Sequence, residues 1–161
     1  MNKNWLTFEK TVAVFQFIFG LLIIPGVFYF TYNNFDYYFK TINNNFSIVT
    51  TLQNIILNLA LPIFGIYSAI KIIQNKKIGW LFSIIYWFTL SFYSFFNLYE
   101  SFKNSKSIYE IIFLIILTVI FITIGILISS KKFRIKYKSN SKDYTVILVL
   151  ILVFILKNLY L

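Results

Sequence analysis

Residues 52–73 read LQNIILNLALPIFGIYSAIKII. A helix needs about 20 apolar residues to cross the hydrocarbon of a bilayer. This stretch has that length, yet it carries two asparagines, a proline and a glycine where lipid would not welcome them. At 3.6 residues per turn, Asn54, Asn58, Pro62, Gly65 and Ala69 fall on one stripe. Ile56, Leu59, Ile63, Ile66, Tyr67 and Ile70 occupy the other side. One side suits lipid, and the other is small and polar enough to pack against protein or line a cavity. The stretch therefore reads as the inner helix of a small membrane bundle.

Composition points the same way. Of 161 residues, 59% are hydrophobic and only 12% charged, far from the balance of a soluble domain. Cysteine and histidine are both absent. No disulfide framework or thiolate metal site is expected, and the commonest general base and metal ligand are missing. Neither a cofactor nor a metal is expected. The weighting toward Ile, Asn, Lys, Phe and Tyr, with Arg134 the one arginine, fits an AT-rich microbial genome. A formal charge of +10 would suit nucleic acid. In so apolar a chain, basic loops retained on the cytoplasmic side explain it better, so no nucleic-acid partner is expected.

Working outward from 52–73, the chain reads as one transmembrane domain over 1–161, with spans at about 12–30, 52–73, 78–98, 111–128 and 144–161. The first span follows a short polar segment in which Trp5 and Phe8 suit a headgroup layer. No small-x-small cleavage pattern follows it, so an uncleaved helix is expected. Ala13, Gln16, Gly20 and Val27 share a face, and Pro25 and Gly26 are expected to bend or end the helix. Residues 31–47 read as a polar loop carrying an aromatic belt of Tyr32, Phe35, Tyr37, Tyr38 and Phe39.

A tight turn, QNKK, joins the second and third spans. In the third, Gly79, Ser83, Tyr86, Ser94 and Asn97 form a narrow stripe expected to face the stripe of the second. Thr118, Gly125 and Ser129 mark the packing side of the fourth. The fifth is short, with Lys157 placed to reach the interface.

Counting cations orients the bundle. With the N-terminus inside, the inner segments hold Lys3, Lys10, Lys71, Lys76, Lys77 and the six cations of the basic loop 131–142. Only Lys40, Lys103, Lys106 and Lys157 fall outside. The expectation is an all-α integral membrane protein, N-in and C-out, with short loops, in a bacterial cytoplasmic (inner) membrane.

Chemistry is sparse. The five carboxylates lie at span ends or in loops, away from the midplane where an ionisable group would suggest a proton or ion path. Glu100 and Glu110 share a loop too short to fix a catalytic pair, and the neighbouring lysines are too solvated to act as bases. No phosphate loop, HExxH or nucleotide fingerprint occurs, and no enzyme activity is expected.

Two groups of candidate residues remain. Asn54, Asn58, Pro62, Gly65, Ser83, Tyr86 and Ser94 are helix-packing or cavity-lining candidates. Pro62 frees the carbonyl of Asn58 one turn earlier, which suits either a packing kink or a small-solute or cation site. Packing is preferred, because small and polar residues are routine at membrane helix interfaces. Lys131, Lys132, Arg134, Lys136 and Lys138 alternate with Phe133, Ile135 and Tyr137. An extended segment would turn the apolar residues toward the membrane and set the cations against anionic headgroups or an acidic partner.

The function these features favour is a non-catalytic accessory or regulatory membrane subunit acting through helix packing, as a homo-oligomer or with a membrane protein partner. A small oligomeric channel or carrier, with Asn54, Asn58 and Tyr86 facing the pathway, is the alternative. An intramembrane enzyme is the second.

Overall fold

A computed structural model of the chain describes residues 3–33 and 45–160. The described residues form six helices and no strand: α1 (Lys3–Asn33), α2 (Asn45–Ile73), α3 (Lys77–Lys103), α4 (Ile108–Ile128), α5 (Lys131–Lys136) and α6 (Ser141–Tyr160). Among the described residues three segments are long and apolar enough to cross a membrane: Asn4–Tyr29, Lys77–Lys103 and Ile108–Ile128.

The helix around which the others gather is α3, not the helix of residues 52–73. Helices α2, α4 and α6 all pack on α3, while α1 lies along α2. The cause is legible in α3 itself. Gly79, Ser83 and Ser94 allow close approach on one side, while Trp80, Ile84, Tyr86, Trp87 and Leu90 supply bulk around most of the circumference; all are buried. By contrast α2 is one-sided over residues 58–73, where its burial is described throughout. Pro62, Gly65, Ser68, Ala69 and Ile72 are buried, whereas Ile56, Ile63, Tyr67 and Ile70 are exposed as a lipid face would be.

Helix α1 does not end at Pro25. It continues to Asn33, with Pro25 inside it. A proline removes one backbone hydrogen bond and crowds one carbonyl, and a long helix can continue past that loss. The aromatic belt at Phe35, Tyr37, Tyr38 and Phe39 lies outside the described residues; Tyr32, still on α1, is exposed.

Three helices end in the same way. At the end of α2, the N–H of Lys76 bonds to Lys71 O and that of Asn75 to Ile72 O, with Asn75 at φ 55. Ser105 (φ 50) and Lys138 (φ 48) sit in the equivalent position after α3 and α5, with matching bonds. This is the Schellman closure, which usually places glycine in the left-handed position. The first of these caps makes the α2–α3 turn very tight. A Cβ added to Gly79 would lie 2.5 Å from Ile72 N and Lys71 C, so only glycine fits there.

The basic run is not extended. It forms the short helix α5, and helical spacing replaces the expected alternation. Phe133 and Tyr137, one turn apart, are both buried in the protein, while Ile135 is 68% exposed. Trp5 and Phe8 pack on Phe133 at ring-centroid distances of 5.8 and 6.4 Å, so they serve the bundle as well as its rim.

Candidate functional site

Two polar centres organise the bundle. The first lies where α1, α2 and α3 meet. Gln16 is fully buried; its Nε2 donates to Gly65 O at 3.0 Å and to Ser68 Oγ. Its Oε1 accepts from Ser83 Oγ at 2.6 Å, and Ser68 Oγ donates to Gly65 O at 3.1 Å. One amide thus joins three helices. The neighbouring residues are small because the backbones must approach for these bonds to form. A Cβ at Gly20 would meet Ile66 Cγ1 at 2.7 Å and Pro62 O at 3.0 Å, and one at Gly65 would meet the Tyr86 ring at 2.5 Å.

A smaller bridge joins α3 to α4. Thr118 Oγ1 donates to Ser94 Oγ at 2.8 Å, and Ser94 Oγ donates to Leu114 O at 3.2 Å. Nearer one end, Trp80 Nε1 donates to Ile128 O at 2.8 Å.

The second centre lies at the basic end. Glu9, on α1, is 5% exposed; one carboxylate oxygen pairs with Lys136 Nζ and the other accepts from Tyr137 OH. Lys136 Nζ also donates to Asn75 Oδ1 at 2.8 Å, which ties the α2–α3 turn to the same group. Burial first, and then the adjoining Glu9 carboxylate, push the Tyr137 phenol well above the usual tyrosine range. Tyr137 also stacks on Trp80, with centroids 5.9 Å apart and planes 18° from parallel. Beside it, Lys77 pairs with Asp143 at 2.7 Å. Burial raises the Asp143 carboxyl on its own, but hydrogen bonds from Lys77 and the Asn140 backbone, with the lysine charge, hold it below the usual carboxylate range.

The candidate residues are distributed as follows. Pro62, Gly65, Ser83, Tyr86 and Ser94 lie inside the bundle. Asn58 is exposed along a cleft of about 200 Å³ that it shares with Val27, Pro62 and Tyr93. Tyr86 lines a tight apolar niche with Leu61, Phe82 and Leu150, and Leu61 also borders the Asn58 cleft. The side chains of Asn54 and Lys157 lie outside the described residues. Of the five cations in the basic run, Lys136 is committed internally to Glu9 and Asn75. Lys132 Nζ sits 4.1 Å from the Trp5 ring centroid, and Lys131, Arg134 and Lys138 border a groove between α5 and α6.

Sequence reasoning passed over Glu9, Ser68 and Asn75. A signal for Glu9 was present. Glu9, Ala13, Gln16 and Gly20 recur at helical spacing, so the buried face of α1 begins one turn earlier than its apolar run.

These centres bind helices together. Gln16 cannot act as a base. Ser101 Oγ donates to Glu110 Oε1 at 3.1 Å, but Lys106 already neutralises that carboxylate at 2.8 Å, so it withdraws a proton weakly. Among the described residues no group of acidic side chains is placed to hold a metal. No family model, curated protein or solved structure matches the chain.

Proposed function

We propose that this chain is a five-span integral membrane protein, N-in and C-out, working as a non-catalytic accessory or regulatory subunit through helix packing with its own copies or a membrane partner. The observation that carries this reading is where the polar groups go. Gln16, Ser68 and Ser83, and likewise Ser94 and Thr118, are spent on holding helices to one another. The outer faces of α1 and α4 are apolar instead, with Leu22, Tyr29, Phe113 and Val119 exposed. Such faces can meet lipid or another apolar helix and carry no reactive group. The two further spans rest on α2 and α6, of 29 and 20 residues. At 1.5 Å per residue, even α6 is about 30 Å long, the thickness of the hydrocarbon core.

One observation favours a carrier as the second reading. Tyr86 OH, Trp87 Nε1 and Thr89 Oγ1 are buried along α3 without a hydrogen-bond partner, and buried polar groups ordinarily have one. Water or a solute passing through the bundle would supply it.

Reconstitution separates the two. The subunit reading expects the full chain in liposomes to give no ion or solute flux above protein-free vesicles. It also expects resonance energy transfer between labelled copies to persist as lipid dilutes them. A specific flux abolished by Tyr86→Phe or Asn58→Leu, in protein that remains folded, would overturn it in favour of the carrier.

A further inference from the structure

Where α4 has ended and α6 begins, Lys131, Arg134 and Lys138 border one open groove of about 570 Å³. Among the described residues none of the three has a carboxylate partner. The nearby acids are engaged elsewhere, Glu9 with Lys136 and Asp143 with Lys77. The same groove is lined by Ser139 and Tyr144, whose hydroxyls are buried and make no hydrogen bond. Arg134 lies over the Tyr144 ring, 5.9 Å from its centroid, which keeps the guanidinium at the groove wall.

Uncompensated cations beside orphaned hydroxyls describe a site lacking an anion with several acceptor oxygens. A phosphate fits: arginine and lysine are its usual partners, and its oxygens accept from hydroxyls as well. We infer that this groove holds the phosphate of an anionic phospholipid. Position selects lipid over soluble phosphate. On the proposed membrane placement, on which this inference rests, the groove lies at headgroup depth between the ends of two apolar helices, and exposed Ile135 on its wall suits the glycerol and upper acyl region.

The test uses the full chain, extracted and exchanged into nanodiscs of phosphatidylcholine with a minor share of phosphatidylglycerol, with retained lipid measured by mass spectrometry. Wild-type protein is expected to retain phosphatidylglycerol selectively. Tyr144→Phe and Ser139→Ala should each lower that selectivity about tenfold, the loss of one hydrogen bond to a charged group. Neither substitution changes the charge, so selectivity unaffected by both would mean only a general attraction to an anionic surface and would overturn the site. Since both hydroxyls are buried without protein partners, their removal should not lower the melting temperature in detergent. A melting temperature that falls together with retention would overturn the site in favour of a structural role. Binding of inorganic phosphate without lipid selectivity would overturn the lipid assignment. Recovery of the chain in the soluble fraction would overturn the membrane reading and this site together, whereas inserted protein with unselective retention overturns this site alone.

Discussion

Ser83 Oγ on α3 donates a 2.6 Å hydrogen bond to Gln16 Oε1 on α1, although 67 residues separate them in the chain. Helix α1 lies along α2, so this bond reaches past its immediate partner to the central helix. Single interhelical hydrogen bonds in membranes average about 0.6 kcal/mol and reach about 1.7 kcal/mol. Gln16 makes three bonds, and its removal strands Ser83. Gln16→Leu is therefore expected to destabilise the bundle by about 1–2 kcal/mol. Unfolding in mixed micelles measures it, and Gln16→Asn, one methylene too short to reach both sides, should recover little.

Glycine substitutions divide by location. Gly79→Ala would press a methyl group into the backbone of Lys71 and Ile72, which cannot yield, and should cost at least about 1–3 kcal/mol. Nothing lies within 4 Å of a Cβ at Gly26, so Gly26→Ala should be neutral or slightly stabilising. Thermal stability of the two variants in the same detergent compares them directly.

The Schellman caps offer a gain. Ser105 holds a positive φ that costs an L-residue about 1 kcal/mol and glycine almost nothing. Ser105→Gly should raise stability by no more than about 0.5 kcal/mol after the extra unfolded-state entropy of glycine is subtracted. A lower midpoint of unfolding would show that the serine contributes more than its backbone.

Glu9 and Lys136 form a pair that is more costly to halve than to remove. Glu9→Gln leaves a partly buried ammonium without its counter-charge and should cost about 1–3 kcal/mol. Adding Lys136→Met should restore much of that loss. Additive losses in the double mutant would show that the two side chains act independently.

The Lys77–Asp143 pair gives a pH dependence of known sign. The Asp143 carboxyl is held below its ordinary range, so its contribution is present above about pH 4 and disappears as pH falls through the lowered value. Lys77 is more than a third exposed, so the contribution is only about 0.2–1 kcal/mol. Stability measured from pH 6 downward should fall less steeply in Asp143→Asn than in the wild type.

Much of this architecture was open to sequence reasoning, and the reasons it stopped are physical. Helical spacing marked Pro62, Gly65 and Ala69 as a buried stripe and Ile63, Tyr67 and Ile70 as an outer face, because burial of α2 is one-sided. The same method undervalued α3. A helix buried on most sides has no single stripe, and the span with the most evident stripe is only a neighbour of the centre. Ser68 was hidden beside Ala69 because a serine within an apolar run looks neutral until a partner such as Gln16 is known. The alternation in Lys132–Lys138 suggested an extended segment. A seven-residue run fits both periods, and only the contacts of Phe133 and Tyr137 with the bundle select the helix.

Membrane topology tests the five-span, N-in and C-out claim most directly, and the absence of cysteine makes the test simple. Single substitutions Lys40→Cys, Gln74→Cys, Asn104→Cys, Asn140→Cys and Leu161→Cys can each be probed in intact cells with a membrane-impermeant maleimide. Labelling is expected at 40, 104 and 161 without permeabilisation, and at 74 and 140 only after it. Protection of position 161 together with 140 would contradict a crossing by α6 and reduce the protein to four spans.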